Sequence, residues 1–345
     1  MKGTMRAAMA HRLGAALTIE HLPIPTPGPG EVLVKIRASG VCHTDLHAVQ
    51  GDWPVKPVLP FIPGHEGAGI VAETGAGVNH LRAGDAVGIA WLHDACGRCE
   101  YCISGWETLC ERQRNSGYSV NGTFGEYAIA SAAYVARLPS GCDFVGLAPI
   151  LCAGVTSYKG IRETQARPGE WIVISGIGGL GHLAIQYAQA MGLHVAAIDV
   201  SESKLSLARS LGAEIVVNAN DIGALEDIRR GTGGGAQGVL VTAVSPSAFT
   251  QALGMVRRKG TICLVGLPPG EFATPIFDVV LKRITLRGSI VGNRQDLAEA
   301  IDMAAYGKVQ AMVEPYPLSQ VNVVLDRLRV GGIEGRAVLD MSLAA

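Results

Sequence analysis

Trp171-Ile172-Val173-Ile174-Ser175 runs straight into Gly176-Ile177-Gly178-Gly179-Leu180-Gly181, and His182 to Met191 then has helical length, with Gly192 placed to end it. In a chain with 45 glycines a G-x-G-x-x-G pattern alone says little. Between an apolar strand and a helix it predicts a dinucleotide-binding turn. Gly176 permits the tight turn, Gly178 lets the backbone approach a pyrophosphate, and Gly181 allows close helix-strand packing. Gly179 and Leu180 complete the cofactor-binding loop, and the helix N-terminus supplies amides and a positive dipole. Asp199 closes the next apolar run, Val195-Ala196-Ala197-Ile198, and stands 18 residues after Gly181. A carboxylate there accepts from both adenosine-ribose hydroxyls and repels a 2′-phosphate, which predicts NAD rather than NADP. Lys204, one helical turn further, either reaches the same ribose or stands at the surface.

On the C-terminal side the pattern continues as strands alternating with helices. A helix over Ser201 to Ser210 has Ser201 as N-cap and Gly212 after its end; strands follow at Gly238–Val241 and Thr261–Val265, with a helix near Ser247 to Val256 between them. This α/β alternation implies a parallel sheet covered on both faces. On the N-terminal side, residues 1 to about 150 are rich in Gly and Pro and carry short strand-like runs such as Glu31-Val32-Leu33-Val34-Lys35-Ile36-Arg37, preceded by Pro23, Pro25, Pro27 and Pro29. That texture predicts a mainly β, partly barrel-like region. After about 290 a closing segment ends in the strand-like Ala337-Val338-Leu339. A chain of 345 residues holds two such domains, each with its own core.

A formal net charge of -1 with 17% charged residues gives no reason to expect a nucleic acid or an anionic membrane surface as partner. The nearly apolar stretch around Phe144 to Val155 is too short to span a bilayer and contains Gly146 and Pro149. Met1-Lys2-Gly3-Thr4-Met5-Arg6 leads into a mixed segment with His11, Arg12, Glu20 and His21 and has no secretory apolar core, so a cytoplasmic location is expected. Four of the eight cysteines, Cys96, Cys99, Cys102 and Cys110, fall in a 15-residue window. Their C-x2-C-x2-C-x7-C spacing supplies four thiolates, enough to close a tetrahedral zinc shell. A closed shell has no position for substrate, so this zinc is expected to be structural. Cys42, Cys142, Cys152 and Cys263 are dispersed; Cys142 and Cys263 read as buried thiols.

Taken singly, Cys42, His65 and Cys152 are as consistent with buried thiols and a satisfied histidine as with ligands. Their contexts change the reading: Gly40-Val41-Cys42-His43-Thr44-Asp45-Leu46-His47, Gly64-His65-Glu66-Gly67 and Leu151-Cys152-Ala153-Gly154. With the cysteine lobe, the glycine turn and the late Val291-Gly292-Asn293-Arg294, the chain resembles the zinc-containing medium-chain alcohol dehydrogenases from about Met5 to Met341. It is most similar in pattern to their yeast-like and bacterial branch, usually homotetrameric. The resemblance implies a GroES-like, mainly β catalytic domain over 1–150 and 290–345, its structural zinc lobe at about 93–112, and a Rossmann doubly wound parallel sheet over 151–289.

The resemblance also implies two zinc ions per chain and reversible hydride transfer from a small, ethanol-like primary alcohol to NAD, giving the aldehyde. Cys42, His65 and Cys152 would be the catalytic zinc ligands, the Cys2His set already described for alcohol dehydrogenases. Glu66 either approaches that metal transiently or forms an ion pair beside it. Asp45 would orient the His65 ring through its second nitrogen. Two thiolates offset the charge of the zinc, leaving a near-neutral centre suited to a deprotonated alcohol. Thr44 resembles a relay hydroxyl, and His47 the outer base joined to it through the nicotinamide ribose. His43 and Arg336 resemble pyrophosphate contacts; Thr156, Val265, Leu267 and Val291 resemble residues around the nicotinamide; Trp53 and Trp91 look like walls of a narrow alcohol pocket. Two other readings stay open: a zinc dehydrogenase of the same superfamily acting on polyols, secondary alcohols or glutathione-linked formaldehyde, and a non-catalytic dinucleotide-binding relative.

Overall fold

The computed structural model describes residues 3–344. The chain forms two compact units, one running through Cys152 and resuming at Asn293–Ala305 and from Ala311 onward, the other comprising Ala153–Gly292 and Tyr306–Gln310. The short segment Tyr306–Gln310 belongs with the second unit because the Gln186 side chain pins it. Its Nε2 donates to the Gln310 carbonyl at 3.0 Å and its Oε1 accepts from the Gln310 amide at 2.9 Å.

The first unit is built on the strand Glu31–Val41, the run flanked by prolines in the sequence. It belongs to a seven-stranded sheet. Its first half pairs antiparallel with Tyr127–Ser131, its length pairs with Gly67–Thr74, and its last residues pair with Arg336–Asp340. The closing segment therefore returns to the N-terminal region, with Ala337 opposite Val41. At the register shift Gly69 has no room for a side chain: a Cβ would lie 2.3 Å from the Lys35 carbonyl oxygen. Apolar residues on both sides of the sheet are buried, including Val32, Val34, Ile36 and Val71 in one cluster and Val41, Leu46, Phe61, Phe124 and Leu339 in another.

The second unit is a six-stranded sheet in which every pairing is parallel. The order is Ile215–Asn218, His194–Asp199, Trp171–Ser175, Ala236–Val241, Val256–Leu264 and Thr285–Gly288. Order reverses on either side of Trp171–Ser175, so the loops after Ser175, Asp199 and Val241 gather at the carboxyl ends of adjacent strands, where doubly wound sheets bind ligands. Ile172, Val173 and Ile174 are fully buried, as a strand covered on both faces requires. The helix after the glycine turn spans Gly181–Ala190, one residue earlier than its pattern suggests, and Gly192 follows with φ 78°. The next helix is Glu202–Ser210 with Ser201 as N-cap, but that hydroxyl meets Ser203 Oγ at 3.0 Å instead of capping an amide.

Among the described residues no single helix is long and apolar enough to cross a membrane. The apolar stretch divides into a short helix Phe144–Leu147, a 3-10 turn Ala148–Leu151 and the start of a helix Ala153–Thr164. Cys263 is buried, and burial pushes its thiol up to about 12; Cys142, read as buried, is only half-buried.

Gly181 has the packing role its position suggests, since a Cβ there would lie 1.9 Å from the Gly176 carbonyl oxygen. Gly181→Ala should therefore destabilise the second unit by roughly 1–3 kcal/mol, the cost of overfilling a packed site. Unchanged unfolding in denaturant would show that the turn relaxes freely.

Candidate functional site

Asp45 organises the first unit's cluster of metal-ligating groups. Cys42 is the N-cap of the helix His43–Gln50, with extended φ -120° and ψ 160°. Its amide donates to Asp45 Oδ2 at 2.9 Å, while Asp45 Oδ1 accepts from His65 Nδ1 at 2.7 Å. Asp45 and His65 are each only 1% exposed. With Nδ1 committed, His65 turns Nε2 inward, 3.3 Å from Cys152 Sγ. Ligand atoms of Cys42, His65, Glu66 and Cys152 all lie within 4.8 Å of one another, and all four residues are buried. Residues 42, 65 and 152 thus meet at one point.

Burial and mutual hydrogen bonding shift all four groups. A hydrogen bond from Cys152 holds the Cys42 thiol well below its usual range against burial, helped by His65 and Arg336. Cys42 and burial push Cys152 well up. Burial disfavours a charged His65, yet Asp45 and Cys42 outweigh it and raise its pKa. Burial lifts the Glu66 carboxyl to about 7 despite the Arg336 charge beside it. Glu66 Oε1 is hydrogen-bonded to Arg336 Nη2, whereas the buried Oε2 has no hydrogen-bond partner. Gly40 makes room for that oxygen, because a Cβ at Gly40 would lie 1.9 Å from it. Two sulfurs, one imidazole nitrogen and an unpaired carboxylate oxygen fit a zinc-type ion.

Arg336, read as a cofactor contact, is 4% exposed and seated on Glu66. Trp91 meets the His65 ring edge-on at 5.4 Å, and Trp53 meets Trp91 at 6.5 Å. Tyr118, which sequence reasoning passed over, packs against both tryptophans at 5.6 and 5.8 Å. The Thr44 hydroxyl lies 3.8 Å from Cys42 Sγ. His47 stacks on Trp53 at 5.2 Å and meets Asp52 Oδ1 at 2.9 Å. Asp52 was also missed; its place beside Trp53, five residues after His47, was the available signal. His43 is exposed at the start of the helix.

The second cluster is Cys96, Cys99, Cys102 and Cys110, whose sulfurs also lie within 4.8 Å of one another. Two separations, 3.5 Å for Cys99–Cys102 and 3.9 Å for Cys96–Cys102, bracket the roughly 3.8 Å edge of a tetrahedron of zinc-bound sulfurs. Hydrogen bonds, first from the Arg98 amide, lower the Cys96 thiol to about 5; burial raises Cys102 to about 12. The lobe is fastened within its unit by Arg294, which pairs with Glu107 at 2.9 Å, and by Asn293 Nδ2, which donates to the Gly105 carbonyl at 2.9 Å. These are the last two residues of the Val291–Arg294 motif, so that motif has a mechanical role.

In the second unit the glycine turn is shaped by its neighbours. The Ile177 amide donates to Asp199 Oδ2 at 2.6 Å, and the amides of Val200 and Ser201 donate to Oδ1 at 2.8 and 3.0 Å. The Thr242 hydroxyl, unnoticed in the sequence, donates to the Gly176 carbonyl at 2.6 Å. A Cβ at Gly178 would meet nothing within 4 Å, so that side of the turn is open. Lys204 is half-buried on the following helix, and Thr156 is buried on the helix Ala153–Thr164. Val265 is half-buried, Leu267 is exposed, and Val291 has φ 40°, uncommon for a β-branched residue.

Asp45→Ala would leave the Cys42 amide and His65 Nδ1 without their acceptor. Metal affinity of this cluster should fall about 10- to 100-fold, the range for partners that orient a ligating histidine. Chelator competition measures it, and wild-type retention would remove Asp45 from the site.

Comparison with known proteins places these features. The family model for the alcohol dehydrogenase GroES-like domain matches residues 28–140, and that for zinc-binding dehydrogenases matches 179–306. An alcohol dehydrogenase of Moraxella sp. (strain TAE123) is 58% identical, over 98% of this chain and 100% of its own. One from Rhizobium meliloti (strain 1021) is 57% identical, over 98% and 99% respectively. Among solved structures, the alcohol dehydrogenase of the archaeon Aeropyrum pernix superposes with TM-score 0.89 at 36% identity, covering 97% of this chain and 99% of that one. An acetophenone reductase from Geotrichum candidum in complex with NAD superposes with TM-score 0.85 at 32% identity, covering 98% and 97%. A mainly β unit bearing both metal-ligand clusters, a doubly wound unit with a dinucleotide turn, and near-complete coverage by these relatives make the chain a member of the zinc-containing medium-chain alcohol dehydrogenase family.

Proposed function

We propose that this chain is an NAD-dependent alcohol dehydrogenase that interconverts small primary alcohols and aldehydes, with one catalytic and one structural zinc ion per chain. The observation that carries the reading is the convergence of Cys42, His65 and Cys152, oriented from behind by Asp45 and faced by Trp91. Cys42, His65 and Cys152 would hold the catalytic ion, with Glu66 Oε2 within reach, and Cys96, Cys99, Cys102 and Cys110 the structural one. When bound, the catalytic ion supplies Lewis acidity that lowers the pKa of an alcohol, and NAD supplies the hydride acceptor.

The chain's own residues supply the rest. Trp53, Trp91 and Tyr118 form an apolar wall that excludes water and favours a narrow alkyl chain. Thr44, whose hydroxyl can both accept and donate, takes the substrate proton, and His47, three residues along the same helix, returns it to solvent. In this reading the open side of Gly178 admits the pyrophosphate and Asp199 holds the ribose, and His43 is a cofactor contact by family resemblance. Thr156, Val265, Leu267 and Val291 surround the nicotinamide in this reading. The working form is a cytoplasmic homotetramer; exposed Ile276 and Phe277, at 81% and 76%, supply apolar surface for assembly.

The ketone in the Geotrichum relative's name supports a second reading, oxidation of secondary alcohols. Initial rates of NAD reduction with ethanol, butanol, benzyl alcohol, propan-2-ol and sorbitol, with zinc counted per chain, separate the two. Primary alcohols should lead and zinc should approach two per chain. A clear preference for propan-2-ol or sorbitol would overturn the primary-alcohol reading, and a single zinc would leave the catalytic centre unsupported.

Asp199→Gly should narrow the NAD over NADP ratio of kcat/KM by about tenfold, or ~1.4 kcal/mol. It should also weaken binding of both cofactors, because the glycine turn loses an anchor. An unchanged ratio would remove Asp199 from cofactor selection.

A further inference from the structure

The chain that follows the helix His43–Gln50 sets the His47 ring. The helix His43–Gln50 ends at Gly51, whose φ of 66° turns the chain back and whose amide donates to the His47 carbonyl at 2.8 Å. That reversal brings Asp52 opposite His47. Nδ1 of His47 lies 2.9 Å from Asp52 Oδ1 and 3.0 Å from Oδ2, and Trp53 covers one ring face at 5.2 Å with the planes 22° apart. Asp52 is itself held: with the Gln50 amide oriented to satisfy both neighbours, its nitrogen donates to Asp52 Oδ2 at 3.2 Å and its oxygen accepts from Arg329 Nε at 3.0 Å. Arg329 in turn pairs with Asp326 at 2.7 Å.

We propose that Asp52 is a positioning residue for His47, holding the imidazole as the Nδ1–H tautomer so that Nε2 is the nitrogen that takes up the proton released on alcohol oxidation. The proposal rests on the function given above. An ionised carboxylate only accepts, so the nitrogen facing it must carry hydrogen. In a neutral imidazole the other nitrogen then has the lone pair. Stacking on Trp53 fixes the ring plane, and the hydrogen bond to Asp52 fixes which edge points where. Oxidation of one alcohol sends a hydride to the nicotinamide and releases one proton. That proton ends on Nε2, giving an imidazolium protonated at both nitrogens and facing the Asp52 carboxylate. The same Nε2 releases it to water, so the ring is restored with one proton discharged per turnover.

The test joins a spectroscopic readout to kinetics on the zinc-loaded enzyme. Nitrogen-15 spectra of histidine-labelled protein, at a pH where the ring is neutral, should show His47 as Nδ1–H in the wild type and as a mixture of tautomers in Asp52→Ala. With ethanol and NAD, Asp52→Ala should lower kcat roughly tenfold, the low end for losing a partner that orients an imidazole, with KM and zinc content unchanged. Asp52→Glu should recover most of both signals, since it keeps the acceptor. In a His47→Gln background, Asp52→Ala should have no further effect on kcat. An Nε2–H ring in the wild type overturns the proposal. So does a kcat loss that persists without His47, or no kcat loss in an enzyme that oxidises ethanol. If the wild-type protein oxidises no alcohol, the functional reading falls, and the spectra still decide whether Asp52 sets the ring.

Discussion

A single buried carboxylate fixes the metal-ligand cluster of the first unit. Asp45 accepts from the Cys42 backbone with one oxygen and from the His65 ring with the other, so the helix start and the loop before strand Gly67–Thr74 keep one spacing. Burying a charge at that depth is tolerable only when it is paired and hydrogen-bonded. Asp45 meets that condition through the two groups whose placement the cluster requires. On the other side Arg336 pairs with only one oxygen of Glu66, leaving Oε2 to face the cluster, and the strand Arg336–Asp340 reaches that position by pairing with the last residues of Glu31–Val41. The C-terminal segment thus brings the counter-charge for a cluster assembled from residues 42 to 152.

Features generated over short distances were legible in the sequence. The four-cysteine lobe lies within one short window, and the glycine turn is a local strand-turn-helix, so spacing alone identified both. Helix ends were placed within a residue, but Ser201 shows the limit of such rules: it stands at the N-cap, yet its hydroxyl bonds to Ser203. Periodicity identified Ala337–Leu339 as a strand but not its neighbour; its return to the N-terminal region was legible only through the family resemblance, which joined 290–345 to 1–150. Tyr118, Thr242 and Glu107 escaped because their partners lie far away in sequence. Asp52 escaped for another reason. An aspartate after a helix-ending glycine reads as an ordinary turn residue until the reversal at Gly51 places it against His47.

The four-cysteine lobe shows how a largely irregular segment can be held without a large core. Cys96, Cys99 and Cys102 are only partly buried, and the lobe's own regular structure is a four-residue helix and a 3-10 turn. Its four cysteines cluster within it, and the buried Glu107 ties it to Arg294, which also lies 4.6 Å over the Tyr134 ring. Arg294 opens the helix Arg294–Ala305, so the lobe is fastened to a regular element of its own unit.

Asp199 carries a consequence for how such a chain could change its cofactor. Its two oxygens take the amides of Ile177, Val200 and Ser201. In the proposed NAD reading, a substitution that deletes the carboxylate to admit a 2′-phosphate also removes the acceptor of the buried Ile177 amide, so cofactor choice and the shape of the turn change together. Under the NAD-dependent function proposed above, a change toward NADP would be better served by a short side chain that still accepts hydrogen bonds, such as serine or asparagine. Glycine would open the phosphate site and unfasten the turn in one stroke.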